Sequence, residues 1–332
     1  MDLKDRQMLP IRIGLIGCGI VTTKAHLPAI IRDSRFQISA LCRRDIEKLQ
    51  YLKNQFPHAK CFSDAKELIE SDLVDCVLVA ADVAVHLSIA QMALDNDLYA
   101  LIEKPVDSSS IRISKFVNRN SGKLNKLMVA FNKRFNPGII KFDELVNSKR
   151  LANIIGGTIL FITKQGGKRG KAGVLQNLIH TCDLACHIFG KPKDVYAHFS
   201  ALSNDDYKGK TISVTLHTEK GCAVNLFFTS CSNWQIPVHE RIEVFDYSKS
   251  KLLIEDADRV IFSQHQEGGI VTNSTFRQSN SIFWRYNSFG YEAQISKFGD
   301  LINKQYTNSS PSINDALNAH VLFEQIFEFD KR

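Results

Sequence analysis

The fold class predicted for this 332-residue chain is α/β, with two domains. Short apolar runs alternate with helix-like segments over residues 1–120, the rhythm of a mostly parallel sheet with helices on both faces. After about residue 127 the strands become longer and alternate polar with apolar residues, the pattern of a mainly antiparallel sheet that leaves one face open. The change of rhythm places the boundary at 125/126, giving domains of 1–125 and 126–332.

In order along the chain, IRIGLI at 11–16 is an apolar run that GCG at 17–19 breaks, and a helix is expected from about Thr23 to Arg32. Gln37 to Leu41 reads as the second strand, followed by a helix near Asp45 to Gln55. A short strand near Lys60 precedes a helix to about Glu70, for which Ser63 is the expected cap. CVLVA at 76–80 has the continuous apolar character of a strand buried on both faces. A helix from about Val85 to Leu94, the strand YALIE at 99–103 and a helix within 108–119 complete the alternation.

KLMVAFN at 126–132 looks like the strand leaving the first domain, and 137–147 like a helix. GTILFIT at 157–163 is a strand, TKQGGKRGKAG a basic loop, and 174–189 a largely apolar helix. Strands are then expected at VYAHFS, TISVTLHT, CAVNLFFTS, RIEVFDY and KLLIED, with Glu219-Lys220-Gly221 as the hairpin turn joining the second to the third. Helices near 291–303 and 313–328 close the chain, and a C-terminal helix could pack back on the first domain.

Composition excludes several classes. With 44% hydrophobic and 23% charged residues the chain is of globular type. Its apolar runs are far shorter than the roughly 20 residues that span a bilayer, so no membrane helix is expected and the location is read as cytoplasmic. The +7 charge suits an anionic cofactor or substrate, or simply a solvated surface, while the basic stretches near 164–171 and 247–251 are too short to indicate nucleic acid. The eight cysteines form no CxxC pair or dense secreted framework and are expected reduced. Cys182, Cys186 and His187 could be read as metal ligands, but buried small residues are the reading adopted, with no metal.

Glycine chemistry points to the ligand. In GLIGCGIVTTKAHL, Gly17 permits a tight turn, Gly19 lets the backbone approach a pyrophosphate, and the following helix aims N–H groups at the anion; Thr22 stands where a stricter dinucleotide fingerprint has a third glycine. After the second strand an NAD site often offers an acid to the ribose, whereas ALCRRD offers Arg43 and Arg44, which could bracket a 2′-phosphate. The cofactor expected is therefore NADP, with NAD as the alternative because Asp45 is adjacent. Contacts are expected from Gly17, Gly19, Ile20 and Val21 at the loop, from Cys42, Arg43 and Arg44, from Ala80, and from His86, Glu103 and Lys104.

Two further features carry chemistry. Glu103-Lys104-Pro105 ends a strand, and an ammonium held there could stabilise oxyanion charge during alcohol–ketone interconversion. On the helix 174–189, Gln176, His180 and Asp183 fall at i, i+4 and i+7, a polar stripe that a cleft would satisfy. The alternatives are a purely structural His180–Asp183 bond or a zinc site with His187. Lys133 and Arg134 are candidates to touch substrate or cofactor, or to lie on the surface. Trp234 and His239 flank a proline loop that could border the pocket or an oligomer interface, and 164–171 could form a basic lid.

With GLIGCGIVTTKAHLPAI, VAADVAVHLSIAQMAL, LIEKPV, AFNKRFNP and HERIEVFDYSKSKLLIED in this order, the chain resembles the glucose-fructose oxidoreductase, inositol dehydrogenase and MocA-like family. The resemblance implies an N-terminal Rossmann domain and a C-terminal α/β domain whose open, mainly antiparallel sheet helps form homodimers or homotetramers. It further implies that Lys104 contacts the reacting hydroxyl, that His180 is the general acid/base, and that Asp183 helps hold a sugar or cyclitol. Many polyol dehydrogenases of the family carry Asp or Asn four residues before this histidine; here Gln176 stands there with Asn177 beside it, able to hydrogen-bond a hydroxyl but not to carry charge. The activity expected is NAD(P)-dependent hydride transfer at a secondary alcohol, with reduction of an imine or enone, or a non-catalytic cofactor-binding regulator, as alternatives.

Overall fold

The computed structural model describes residues 9–163, 170–200, 211–230, 238–257, 259–265, 271–276, 289–304 and 310–330. Two compact units result, one of Met1–Asp107, Lys115–Ala130 and Tyr291–Ile313, the other of Ser108–Ser114, Phe131–Gly290 and Asn314–Arg332.

The first unit is a six-stranded parallel sheet of β1 (Ile11–Ile16), β2 (Phe36–Cys42), β3 (Lys60–Phe62), β4 (Cys76–Val79), β5 (Tyr99–Ile102) and β6 (Leu127–Val129), in the order β3-β2-β1-β4-β5-β6. The central strand β4 is apolar throughout because both its faces are covered: all four of its residues are buried. The connecting helices are α1 (Leu27–Arg32), α2 (Gln50–Gln55), α3 (Ala65–Ile69) and α4 (His86–Asp95), with α5 (Ser110–Arg119) following β5. Because the strand order runs outward in opposite directions from β1 and β4, a crevice opens beyond their carboxyl ends.

Two local expectations are corrected. Asp64, not Ser63, caps α3, its carboxylate accepting from the Lys66 and Glu67 N–H groups. The helix expected from Thr23 starts at Ile20, and its stretch Thr22–His26 is a π-helical turn that runs into α1. A further helix, α8 (Tyr291–Ile302), packs on α1 in this unit. Its seat is set by Phe36 stacked on Phe298 and by Arg35, which holds Asp300 at 2.7 Å.

In the second unit α6 (Pro137–Asn147) and α7 (Gly170–Phe189) cover one face of an eight-stranded sheet. Its strands are β7 (Ile154–Thr163), β8 (Pro192–Ser200), β9 (Thr211–Thr218), β10 (Ala223–Thr229), β11 (Val238–Asp246), β12 (Lys251–Glu255), β13 (Arg259–His265) and β14 (Val271–Phe276), ordered β14-β13-β12-β11-β7-β10-β9-β8. All pairs are antiparallel except β7 with β10. Alternation sorts the residues: Ile212, Val214 and Leu216 point into the core while Ser213, Thr215 and His217 face outward. The β9–β10 turn ends on Gly221 at φ +83°. The last helix, α9 (Ile313–Phe327), belongs to this unit, where its Glu324 accepts hydrogen bonds from the Ser110 N–H and hydroxyl at the start of α5.

Candidate active site

The crevice of the first unit is a cavity of about 780 Å³ bounded by Gly17 and Gly19 of the loop after β1, Cys42, Arg43 and Arg44 after β2, and Ala80 after β4. Six of the cofactor contacts expected from the sequence are thus brought together. Gly17 has φ +84°, and a Cβ there would lie 2.5 Å from the Ala80 carbonyl oxygen; the nearest atom to a Cβ on Gly19 is 3.9 Å away. Hence Gly17 is needed for the turn itself, whereas Gly19 leaves space for a ligand. Thr22 takes over the third glycine position usefully, its buried hydroxyl donating to the Gly17 carbonyl at 2.8 Å. Gly17→Ala is expected to lose about 2–4 kcal/mol of stability in urea titration and to weaken NADPH and NADH binding together; wild-type binding of both would show that the turn can relax.

At the end of β2, Arg43 donates to the Cys18 carbonyl at 2.9 Å, while Asp45 is paired with Lys48 at 2.6 Å. Ser63, Asp64 and Lys66 also line the cavity, residues that the sequence reading did not assign to it. Ile20 and Val21 lie outside the lining, 81% and 46% exposed. Burial pushes the Cys18 thiol up to about 12 and the Cys42 thiol up to about 11, so both stay protonated near neutrality.

Glu103, Lys104 and Pro105 follow β5. Glu103 is buried, and its carboxylate meets His26 Nε2 at 2.7 Å and accepts the Lys104 N–H at 3.0 Å. Burial would raise this carboxyl, but the His26 hydrogen bond, helped by the charges of His26, Lys104 and His86, holds it below the usual glutamate value. His86 is buried behind the crevice, with Nδ1 2.9 Å from the Pro105 carbonyl and Nε2 3.0 Å from that of Ala81. It therefore ties the turn after β4 to the turn after β5. The one early signal of His26 was a lone histidine in the apolar stretch AHLPAII.

In the second unit, α7 carries Gln176 and Asn177 half-buried and His180 and Asp183 buried. The His180 ring stands edge-on to Phe131, centroids 6.4 Å apart. Both Asp183 oxygens are engaged by Arg134, at 2.5–3.1 Å, and Arg134 also meets Asp315 at 3.3 Å. Burial raises the Asp183 carboxyl against the pull of Arg134; the guanidinium, despite its own burial, is held charged more firmly than usual by Asp183 and Asp315. Lys133 is likewise buried, 2.6 Å from Glu240 with its ammonium 3.6 Å from the Phe161 ring centroid. A surface placement of Lys133 and Arg134 is thereby corrected. Glu240 and Asp315, the carboxylates committed to them, escaped the sequence reading because they are remote in the chain. His187 pairs with Asp143 at 3.0 Å, and among the described residues no cluster of three or more His, Cys, Asp or Glu side chains is arranged to hold a metal. Trp234 and residues 164–169 of the basic loop lie outside the described residues.

Residues 11–131 match the oxidoreductase family GFO_IDH_MocA, described as having an NAD-binding Rossmann fold. The chain carries the Rossmann domain of the GFO_IDH_MocA oxidoreductases. Relatives of the chain include Oxidoreductase P35 of Formosa agariphila, 26% identical over 60% of this chain and 68% of that one. An inositol 2-dehydrogenase of Corynebacterium glutamicum is 30% identical over 65% of this chain and 66% of its own. The second unit extends the likeness in fold: a crystal structure of a myo-inositol dehydrogenase from Corynebacterium glutamicum superposes with a TM-score of 0.77 over 96% of both chains at 20% identity. Among the described residues, no helix is long and apolar enough to cross a membrane.

Proposed function

We propose that the chain is an NADP-preferring dehydrogenase that interconverts a secondary alcohol and a ketone on a sugar, sugar derivative or cyclitol. The observation that carries the reading is the crevice of the first unit: a glycine turn closed against Ala80, open space at Gly19, and two guanidinium groups at the end of β2. Those residues fit a dinucleotide. Gly17 and Gly19 would admit its pyrophosphate, and Arg43 and Arg44 a 2′-phosphate, for which the pairing of Asp45 with Lys48 leaves the cations as the readier partners. The inositol 2-dehydrogenase relative supports the substrate class.

The nicotinamide, when bound, supplies or accepts the hydride. The protein's part is orientation and proton handling. His180 would take the hydroxyl proton in oxidation and return it in reduction; the Lys104 ammonium would stabilise the charge developing on that oxygen. Gln176 and Asn177 would hydrogen-bond neighbouring hydroxyls. Asp183, with both oxygens on Arg134, would fix the helix turn that carries His180. The outward face of the eight-stranded sheet, where Phe227 is 40% exposed, is the surface proposed to pair in a homodimer or homotetramer.

Fluorescence titration tests the cofactor assignment. NADPH is expected to bind about tenfold tighter than NADH, and Arg43→Ala or Arg44→Ala to cost about tenfold for NADPH but less than about twofold for NADH. Equal wild-type affinities would end the NADP assignment; no response to either nucleotide would end the dehydrogenase reading.

A further inference from the structure

His26 is a buried titratable group with no part in the chemistry described above. Its ring is fully buried and stands edge-on to Tyr291, centroids 5.2 Å apart at 85°. Nε2 meets Glu103 Oε1 at 2.7 Å; Nδ1 is buried and, among the described residues, has no hydrogen-bond partner. With Nε2 committed to the carboxylate, Nδ1, protonated or not, is left desolvated without a partner among the described residues. Apolar side chains at both positions 26 and 103 would fill the same space without leaving polar atoms unsatisfied, so packing alone does not call for a histidine–carboxylate pair here.

The backbone that presents it is equally particular. His26 closes the π-helical turn Thr22–His26, and such turns insert an extra residue that re-aims the side chains after it. The start of the turn is fastened to the dinucleotide loop: Thr22 Oγ1 donates to the Gly17 carbonyl at 2.8 Å and Thr23 Oγ1 to that of Gly19 at 3.0 Å. Its end delivers His26 to Glu103, whose other oxygen accepts the Lys104 N–H at 3.0 Å. A continuous set of hydrogen bonds and covalent links thus joins the loop that would receive pyrophosphate to the backbone of Lys104. His86 holds the far side of the same turn through the Pro105 carbonyl, at 2.9 Å.

We infer that His26 is a positioning residue for Lys104, acting through the Glu103 carboxylate and linking the glycine loop to the turn that carries the reacting ammonium. The inference rests on the dehydrogenase reading for the role of Lys104, but its structural content is tested without turnover. The full chain is acetylated with limiting acetic anhydride, and the rate at Lys104 is compared by peptide mass spectrometry with that at the exposed Lys48 and Lys66.

His26→Leu removes the donor and is expected to raise Lys104 labelling about fivefold relative to the two references, on the scale of losing one charge-assisted hydrogen bond. His26→Gln places an amide N–H near the Nε2 position and is expected to stay within about twofold of wild type. Unchanged Lys104 labelling in the leucine variant overturns the inference. So does a glutamine variant that shifts as far as leucine, because the ring would then be acting by packing alone. Should His26→Leu fail to fold, Glu103→Met, of similar length but with no acceptor for His26 or the Lys104 N–H, replaces it: a comparable rise supports the link, and an unchanged rate overturns it. NADPH titration of the same wild-type sample keeps the two questions apart, since a missing nicotinamide response defeats the dehydrogenase reading and leaves the labelling comparison intact.

Discussion

Lys104→Met and His180→Asn are each expected to lower kcat by about 10²–10⁴-fold while leaving NADPH affinity within about threefold. The substrate is first found by following NADPH fluorescence with a panel of keto-inositols, keto-sugars and sugar phosphates. Both variants are then compared on the best member. The size of the effect follows from what each group is proposed to do. An ammonium aimed at an oxygen that becomes negative acts mainly in the transition state, so its loss appears in kcat more than in ground-state binding. Removing a general acid/base costs a similar factor, because water must then carry the proton. Variants that turn over at near-wild-type rates would transfer the chemistry to other residues. Variants that instead lose NADPH binding would make Lys104 a cofactor ligand only.

Much of the fold was legible because it rests on local chemistry. VLV in β4 shows no alternation since both of its faces are covered, and TISVTLHT alternates cleanly since only one face of β9 is. The helix 137–147 was placed correctly because Asn136 and Pro137 make an unambiguous start, with the Asn136 side chain accepting from Ile139 N–H. Where two signals competed, the reading failed. Ser63 and Asp64 are adjacent cap formers, and only the side-chain geometry decides for Asp64. Strands β13 and β14 went unread because the apolar run of RVIFSQH is only three residues long, Val260–Phe262, and VTNSTF is polar between its end residues. The π-helical turn has no composition of its own.

The candidate site divides along the same line. Gly17, Gly19, Arg43 and Lys104 announce themselves by type and position in a motif. Their supports do not, because the pairs are made across 77 residues for His26 and Glu103, 49 for Arg134 and Asp183, and 107 for Lys133 and Glu240. Periodicity places a side chain on a face; it does not identify what meets it from another element. For that reason the polar stripe on α7 was visible, while the commitment of Asp183 to Arg134 was not.

That commitment sets the largest expected stability effect. Arg134→Met is expected to cost about 3–5 kcal/mol near neutral pH, since it leaves the Asp183 carboxylate buried without its counter-charge. Burial already raises this carboxyl even with Arg134 in place, and removing the guanidinium takes away the main opposing influence. The sign of the pH dependence follows. Below the ordinary aspartate value of about 3.9 the group is protonated in both the folded and unfolded variant, and the charge penalty is absent. As pH rises from there through the raised folded value, folding must take up a proton, and stability falls. Urea titrations of wild type and variant from pH 4 to pH 8 should therefore diverge as pH increases. Arg134→Met combined with Asp183→Leu should recover much of the loss at neutral pH, because no buried charge remains. A loss of the same size at both ends of the range, with no recovery in the double variant, would mean that the guanidinium contributes through packing and its contact with Asp315 rather than by neutralising Asp183.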